Sequence, residues 1–112
     1  MDFVEALKSL RVSKSVAALI TYLANTSEAT SREIEMGTGL RQPEVSKGMR
    51  TLHENSWVAE SEIKAEGKGR PKKVYSLSVS LDEIIKHYEE EKSRESAQAM
   101  EAIQRLREIA AT

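Results

Sequence analysis

The spacing of apolar residues changes twice along this chain, and those changes restrict its fold more than any other feature. Apolar residues follow helical spacing up to about residue 56, alternate with period two over residues 73–79, then return to helical spacing from Leu81 to about Ala110. A helically spaced stripe cannot bury its side chains from a strand, and an alternating run cannot bury them from a helix. The chain is therefore expected to be mainly α with a small β-hairpin, an α+β fold. It should end in one helix of about 30 residues, roughly 45 Å long at 1.5 Å per residue.

Capping and turn residues divide the first part further. Phe3, Val4, Leu7 and Leu10 form a short helical stripe that stops at Arg11. Ser13 suits the N-cap of a second helix, in which Val16, Leu19, Ile20 and Leu23 recur at i, i+3, i+4 and i+7. Asn25-Thr26-Ser27 stops it. Thr30 followed by Glu33 is a capping-box pattern opening a short helix with Ile34 inward. Gly37 and Gly39 are expected to end that helix in a tight turn, because glycine takes positive φ at little cost. Pro43 fits the first turn of the next helix, where its missing N–H does no harm. Val45, Met49 and Leu52 form that helix's buried stripe. Residues 58–65 read as a weak strand, since Val58 and Ile63 fall on opposite faces. Lys73, Tyr75, Leu77 and Val79 alternate with Val74, Ser76 and Ser78 as a half-buried strand, and Glu66 to Pro71 joins the two strands. Ser80 with Glu83 repeats the capping-box pattern ahead of the long helix. Residues 1–80 are expected to be one small domain, with 1–11 its N-terminal helix, and 81–112 a helical extension.

Charge narrows the function classes. The chain has 17 basic and 18 acidic side chains, which excludes a protein cationic over its whole surface. The balance is local, however. Residues 41–81 carry eight basic and five acidic groups, and residues 82–112 carry five basic and eight acidic. The absence of cysteine excludes disulfides, thiolate metal sites and cysteine nucleophiles. Residues 1–15 hold no apolar run of signal-peptide type, and no stretch approaches a membrane span. A cytoplasmic domain with no membrane partner is expected.

Helix, short helix, tight turn, helix and basic hairpin, in that order, make a helix-turn-helix with a wing. Residues 30–79 resemble the winged-helix domain of archaeal TrmB-like regulators and, more distantly, MarR-type repressors. The resemblance is carried by Ser31-Arg32-Glu33-Ile34, Thr38-Gly39-Leu40, Val45-Ser46-Lys47, Leu52-His53-Glu54-Asn55, Trp57-Val58, Gly69-Arg70-Pro71 and Tyr75-Ser76-Leu77. Two positions depart from it. Asn55-Ser56-Trp57 stands where the family usually has a glycine–leucine pair, a difference expected to concern packing, and Ser46 stands where TrmB-like proteins often have tyrosine. The resemblance implies a dimeric DNA-binding regulator of transcription.

A helix-turn-helix sets its second helix, here residues 42–55, in the major groove. With Val45, Met49 and Leu52 inward, the opposite face presents Gln42, Ser46, Lys47 and Arg50, with Arg41 just before it. Arginine can grip guanine bidentately and glutamine adenine, while serine and lysine serve bases or phosphates. Glu44 would repel phosphate and is left out. In the wing, residues 66–73, four cations crowd into six positions: Lys68, Arg70, Lys72 and Lys73. Gly67 and Gly69 allow close backbone approach to phosphate oxygens. Residues 68–73 also resemble the core of an AT-hook, so Arg70 either enters a narrow A·T minor groove or straddles phosphates. Ser31 and Arg32, opening the short helix, are weaker phosphate candidates.

The last helix calls for a partner. Leu81, Ile84, Ile85 and Tyr88 form one apolar patch and Ala99, Ala102, Ile103, Leu106 and Ile109 another, separated by a polar stretch. The distal patch would stand exposed in a monomer. A homodimer is expected to bury it, with Phe3, Leu7, Leu10 and Tyr88 joining Ala99, Ile103, Leu106 and Ile109 in the interface. His53 and His87 lie on different elements without metal-ligand spacing, and no phosphate-loop or dinucleotide fingerprint is present, so neither catalysis nor a cofactor or metal is expected. Two readings compete with a DNA-binding dimer. One is a winged-helix protein–protein module of a transcription or chromatin assembly, which would not need the basic wing. The other is a regulator gated by a small-molecule effector of unknown identity, in a pocket near Trp57, Tyr88 and the dimer interface.

Overall fold

The computed structural model describes residues 2–64 and 69–112. The chain divides into two compact units, Met1–Leu81 and Asp82–Thr112.

The first unit is built on capped helices. Asp2 caps α1 (Phe3–Ser9), its carboxylate accepting from Glu5 N–H at 2.8 Å. Ser13 caps α2 (Lys14–Ala24) by accepting from Val16 N–H. Helix α2 is the central element, set against α1, α3, α4 and β3, and it buries Val16, Ala17, Leu19, Ile20 and Leu23. The capping box at α3 (Ser31–Thr38) is complete: Thr30 Oγ1 accepts from Glu33 N–H, and Glu33 Oε1 accepts from Thr30 N–H. Helix α4 (Gln42–Glu54) has Pro43 in its first turn and buries Val45, Met49 and Leu52 as expected, together with Gly48.

Three features differ from the sequence reading. First, Gly37 does not end α3, which continues to Thr38; Gly39 alone takes the left-handed conformation, at φ 74°. Gly37 serves packing instead, since a Cβ there would meet the Tyr22 ring at 2.1 Å. Second, the sheet has three strands rather than two. Residues Ala29–Thr30 form β1, which pairs with β3 (Lys72–Leu77), and β3 pairs with β2 (Val58–Ile63), all antiparallel. Two residues carry no readable period, so β1 could not be found by pattern. As the middle strand, β3 buries Val74 and half-buries Tyr75, Ser76 and Leu77, which blurs its alternation. Val79 lies beyond the strand, because Ser78 turns the chain: its N–H donates to Trp57 O at 2.8 Å and its hydroxyl to Ser56 O at 3.0 Å.

Third, the Asn55-Ser56-Trp57 departure is conformational as well as a matter of packing, in which Trp57 joins the core at 5% exposed. Ser56 sits at φ 60°, in the left-handed region that favours glycine. Ser56 N–H donates to His53 O, and Trp57 N–H to Leu52 O, the paired bonds that close a helix C-terminus. Arg11 at φ 68° does the same after α1, with Arg11 N–H bonded to Lys8 O and Val12 N–H to Leu7 O.

The second unit is the body of α5 (Leu81–Ala111), a helix of 31 residues. Lys86–Asp82, His87–Glu91 and Lys92–Glu95 pair along it one turn apart. Ile84 and Tyr88 are buried, whereas Met100, Ile103, Leu106 and Ile109 are exposed.

Candidate nucleic-acid interface

The sequence reading assigned opposite faces of α4 to core and ligand, and the helix has those faces. Val45, Gly48, Met49 and Leu52 are buried; Gln42, Ser46, Lys47 and Arg50 are exposed, as is Arg41 before them. Gly48 permits close seating of the helix, since a Cβ there would lie 2.4 Å from Leu19 Cδ1 in the core. Gln42 Nε2 donates to Ser46 Oγ at 2.8 Å, so these two side chains act as a pair on the exposed face. Glu44 Oε1 accepts from Arg41 N–H at 3.2 Å, which ties the carboxylate to the helix start.

The wing strands hold the other cations. Arg70, Lys72 and Lys73 are exposed, the last two at the start of β3; Lys68 lies outside the described residues. Thr30 pairs with Val74, so the β1–β3 ladder sets the first turn of α3 beside Lys72 and Lys73. Thr30, Ser31, Arg32, Glu33, Met36, Lys72, Lys73 and Tyr75 line one cleft of about 800 Å³. Ser31 and Arg32, read from sequence as a minor site apart from the wing, thus share a surface with two of its lysines. The Glu33 carboxylate in this cleft is held below the ordinary glutamate value by the backbone N–H and hydroxyl of Thr30, and more weakly by Lys72. It is therefore a fixed negative charge among three cations.

Met36 and Tyr75 were missed. Met36 falls one turn after Arg32 on α3, and Tyr75 two residues after Lys73 on β3, so helical and strand periods would have placed each beside a cation. Nothing in the sequence showed that α3 and β3 meet, because β1 brings them together.

The expected dimer residues separate into two sets. Leu7 and Tyr88 are buried in the single chain, 4% and 8% exposed. Phe3 is half-buried, while Leu10, Ala99, Ile103, Leu106 and Ile109 are exposed, as is Met100, which the pattern reading left out. Trp57 is buried. His53 Nε2 meets Glu60 Oε1 at 2.7 Å, tying the end of α4 to β2. Among the described residues no cluster of His, Asp and Glu could hold a metal ion, and no helix is long and apolar enough to cross a membrane.

No protein-family model matches the chain, and no curated protein matches it in sequence. Solved structures do match. A possible transcriptional regulator from Methanosarcina mazei Go1 superposes with a TM-score of 0.62 at 15% identity, over 86% of this chain and 82% of that one. TrmBL2, described as an archaeal chromatin protein with a novel mode of DNA binding, gives 0.67 at 16% identity, over 95% of this chain but 38% of its own length. A MarR-family transcriptional regulator from Silicibacter pomeroyi gives 0.56 at 16% identity, over 84% and 60%. With its two-faced α4, three-stranded sheet and long last helix, the chain has the winged-helix fold found in these TrmB-like and MarR-like proteins.

Proposed function

We propose that the protein is a homodimeric, winged-helix regulator of transcription that binds duplex DNA, with α4 in the major groove and the basic wing on the minor groove or backbone. The observation that carries this reading is the division of α4. One side is locked into the core by Val45, Gly48, Met49 and Leu52, while the other offers Gln42, Ser46, Lys47 and Arg50 to an outside partner. A rigid helix carrying exposed hydrogen-bonding groups suits a groove lined with base edges. Arg32, Lys72 and Lys73 on the neighbouring cleft supply sequence-independent phosphate attraction. TrmBL2 and the MarR-family proteins, with the same fold, support DNA as the partner.

Base and phosphate contacts are separable by mutation. Arg50→Ala or Gln42→Ala should cost roughly 1–3 kcal/mol and relax preference at particular base pairs. Lys72→Ala or Lys73→Ala should weaken binding to all duplexes, lowering the salt slope by about one per lost contact and about twice that in a dimer. Arg70→Ala distinguishes the two placements of the wing: selective loss on A·T-rich flanks means minor-groove entry, and uniform loss a phosphate contact. If Lys72→Ala/Lys73→Ala binds every duplex as wild type does at every salt concentration, the wing is not a DNA element and the protein-interaction reading takes its place.

A further inference from the structure

The cleft between α3 and β3 has a chemistry that phosphate contact leaves unused. Phosphate attraction needs only Arg32, Lys72 and Lys73, yet the same lining includes Met36, 77% exposed, and the half-buried ring of Tyr75. Met36 and Tyr75 give this charged cleft an apolar wall that a ligand could cover. The cleft's volume of about 800 Å³ lies in the range of small-molecule sites, which combine apolar walls with a few directed polar groups. Three cations against one carboxylate leave the lining positive. Glu33 keeps its charge, with Thr30 N–H on its Oε1 at 3.0 Å, so the attraction for an anion rests on the excess of Arg32, Lys72 and Lys73 over that one carboxylate.

We propose that this cleft binds a small organic dianion bearing a planar ring, of the mononucleotide type, and that its binding competes with DNA. The ring lies against Tyr75 and Met36, where stacking and sulfur–aromatic contact favour it. The phosphate monoester, close to doubly charged at neutral pH, takes Arg32, Lys72 and Lys73. Binding to the cleft stands on its lining alone; competition with DNA rests on the regulator reading above, because it requires those same cations to hold duplex phosphates.

The test titrates the full chain, isotope-labelled and free of DNA, with adenosine monophosphate, adenosine and inorganic phosphate in parallel. Adenosine monophosphate should shift amides of residues 30–36 and 72–75 saturably, and bind about fivefold or more tighter than either fragment. Tyr75→Ala should weaken it by about fivefold or more. Met36→Glu, at an exposed position where the fold tolerates charge, should abolish the shifts. In a second arm, the nucleotide should displace wild-type protein from duplex DNA, with several-fold more needed for Tyr75→Ala. Shifts centred elsewhere, no saturation, or inorganic phosphate binding as tightly as the nucleotide would overturn the site. Unchanged duplex affinity at saturating nucleotide would overturn the competition. Failure of the chain to bind duplex without nucleotide would remove the regulator reading and leave the DNA-free arm to judge the site by itself.

Discussion

Replacing Ser56 with glycine should stabilise the protein, although glycine usually weakens a fold. Ser56 is held at φ 60° by the closure of α4, with its N–H on His53 O and the following Trp57 N–H on Leu52 O. Left-handed backbone costs a residue with a Cβ about 1–2 kcal/mol. Glycine removes that cost but frees the unfolded chain, losing about 0.4–1 kcal/mol. The net gain is about 0.5–1 kcal/mol, or roughly 2–8 °C in Tm for a domain of this size. Ser56 is exposed, and its bond to Ser78 uses the backbone carbonyl, which glycine retains. Ser56→Ala is therefore the control: it keeps the Cβ and should stay within about 0.5 kcal/mol of wild type. Urea denaturation at one fixed protein concentration measures all three, with equal m-values required for the comparison. If Ser56→Gly is no more stable than Ser56→Ala, the position is not left-handed and this account of the α4 terminus fails.

Gly48→Val should destabilise by about 1–3 kcal/mol in the same assay, because its Cβ would enter the space of Leu19, a fully buried side chain that would have to shift within the core. Glu33→Gln should lower stability at neutral pH. Its carboxyl has a lowered folded value, so the stabilisation is present above the ordinary glutamate range and fades as pH falls through the folded one; urea midpoints for wild type and variant should converge in acid. Ile103→Glu with Leu106→Glu should convert a dimer to a monomer in sedimentation, since the exposed stripe would have to bury unpaired charge. A wild-type monomer at micromolar concentration would refute the dimer.

Elements with strong local chemistry were legible in sequence. Ser13, the Thr30–Glu33 pair and Pro43 fixed helix starts, because each satisfies or spares a free backbone N–H within a few residues of itself. The inward face of α4 followed from Val45, Met49 and Leu52, and the outward cations followed by elimination. What stayed hidden was set by tertiary contact. Gly37 reads as a helix stop on propensity, yet it is retained within α3 so that the Tyr22 ring can lie close. Strand β1 is two residues long and exists because β3 offers it an edge. The left-handed Ser56 is imposed by the closing bonds of α4 on a residue type that does not prefer that conformation. The cleft was invisible because Ser31, Arg32 and Met36 lie roughly forty residues from Lys72, Lys73 and Tyr75. The β1–β3 ladder and the packing of α3 against β3 join them.

Two copies of this chain are proposed to read duplex DNA through α4. Selection of bound fragments from random duplexes tests it most directly. An enriched inverted repeat is expected, its half-sites about one or two helical turns apart, centre to centre, matching two α4 helices about a two-fold axis. Binding that remains salt-sensitive yet enriches no repeat would contradict base reading by a symmetric dimer. No binding to any duplex at low salt would contradict the claim outright.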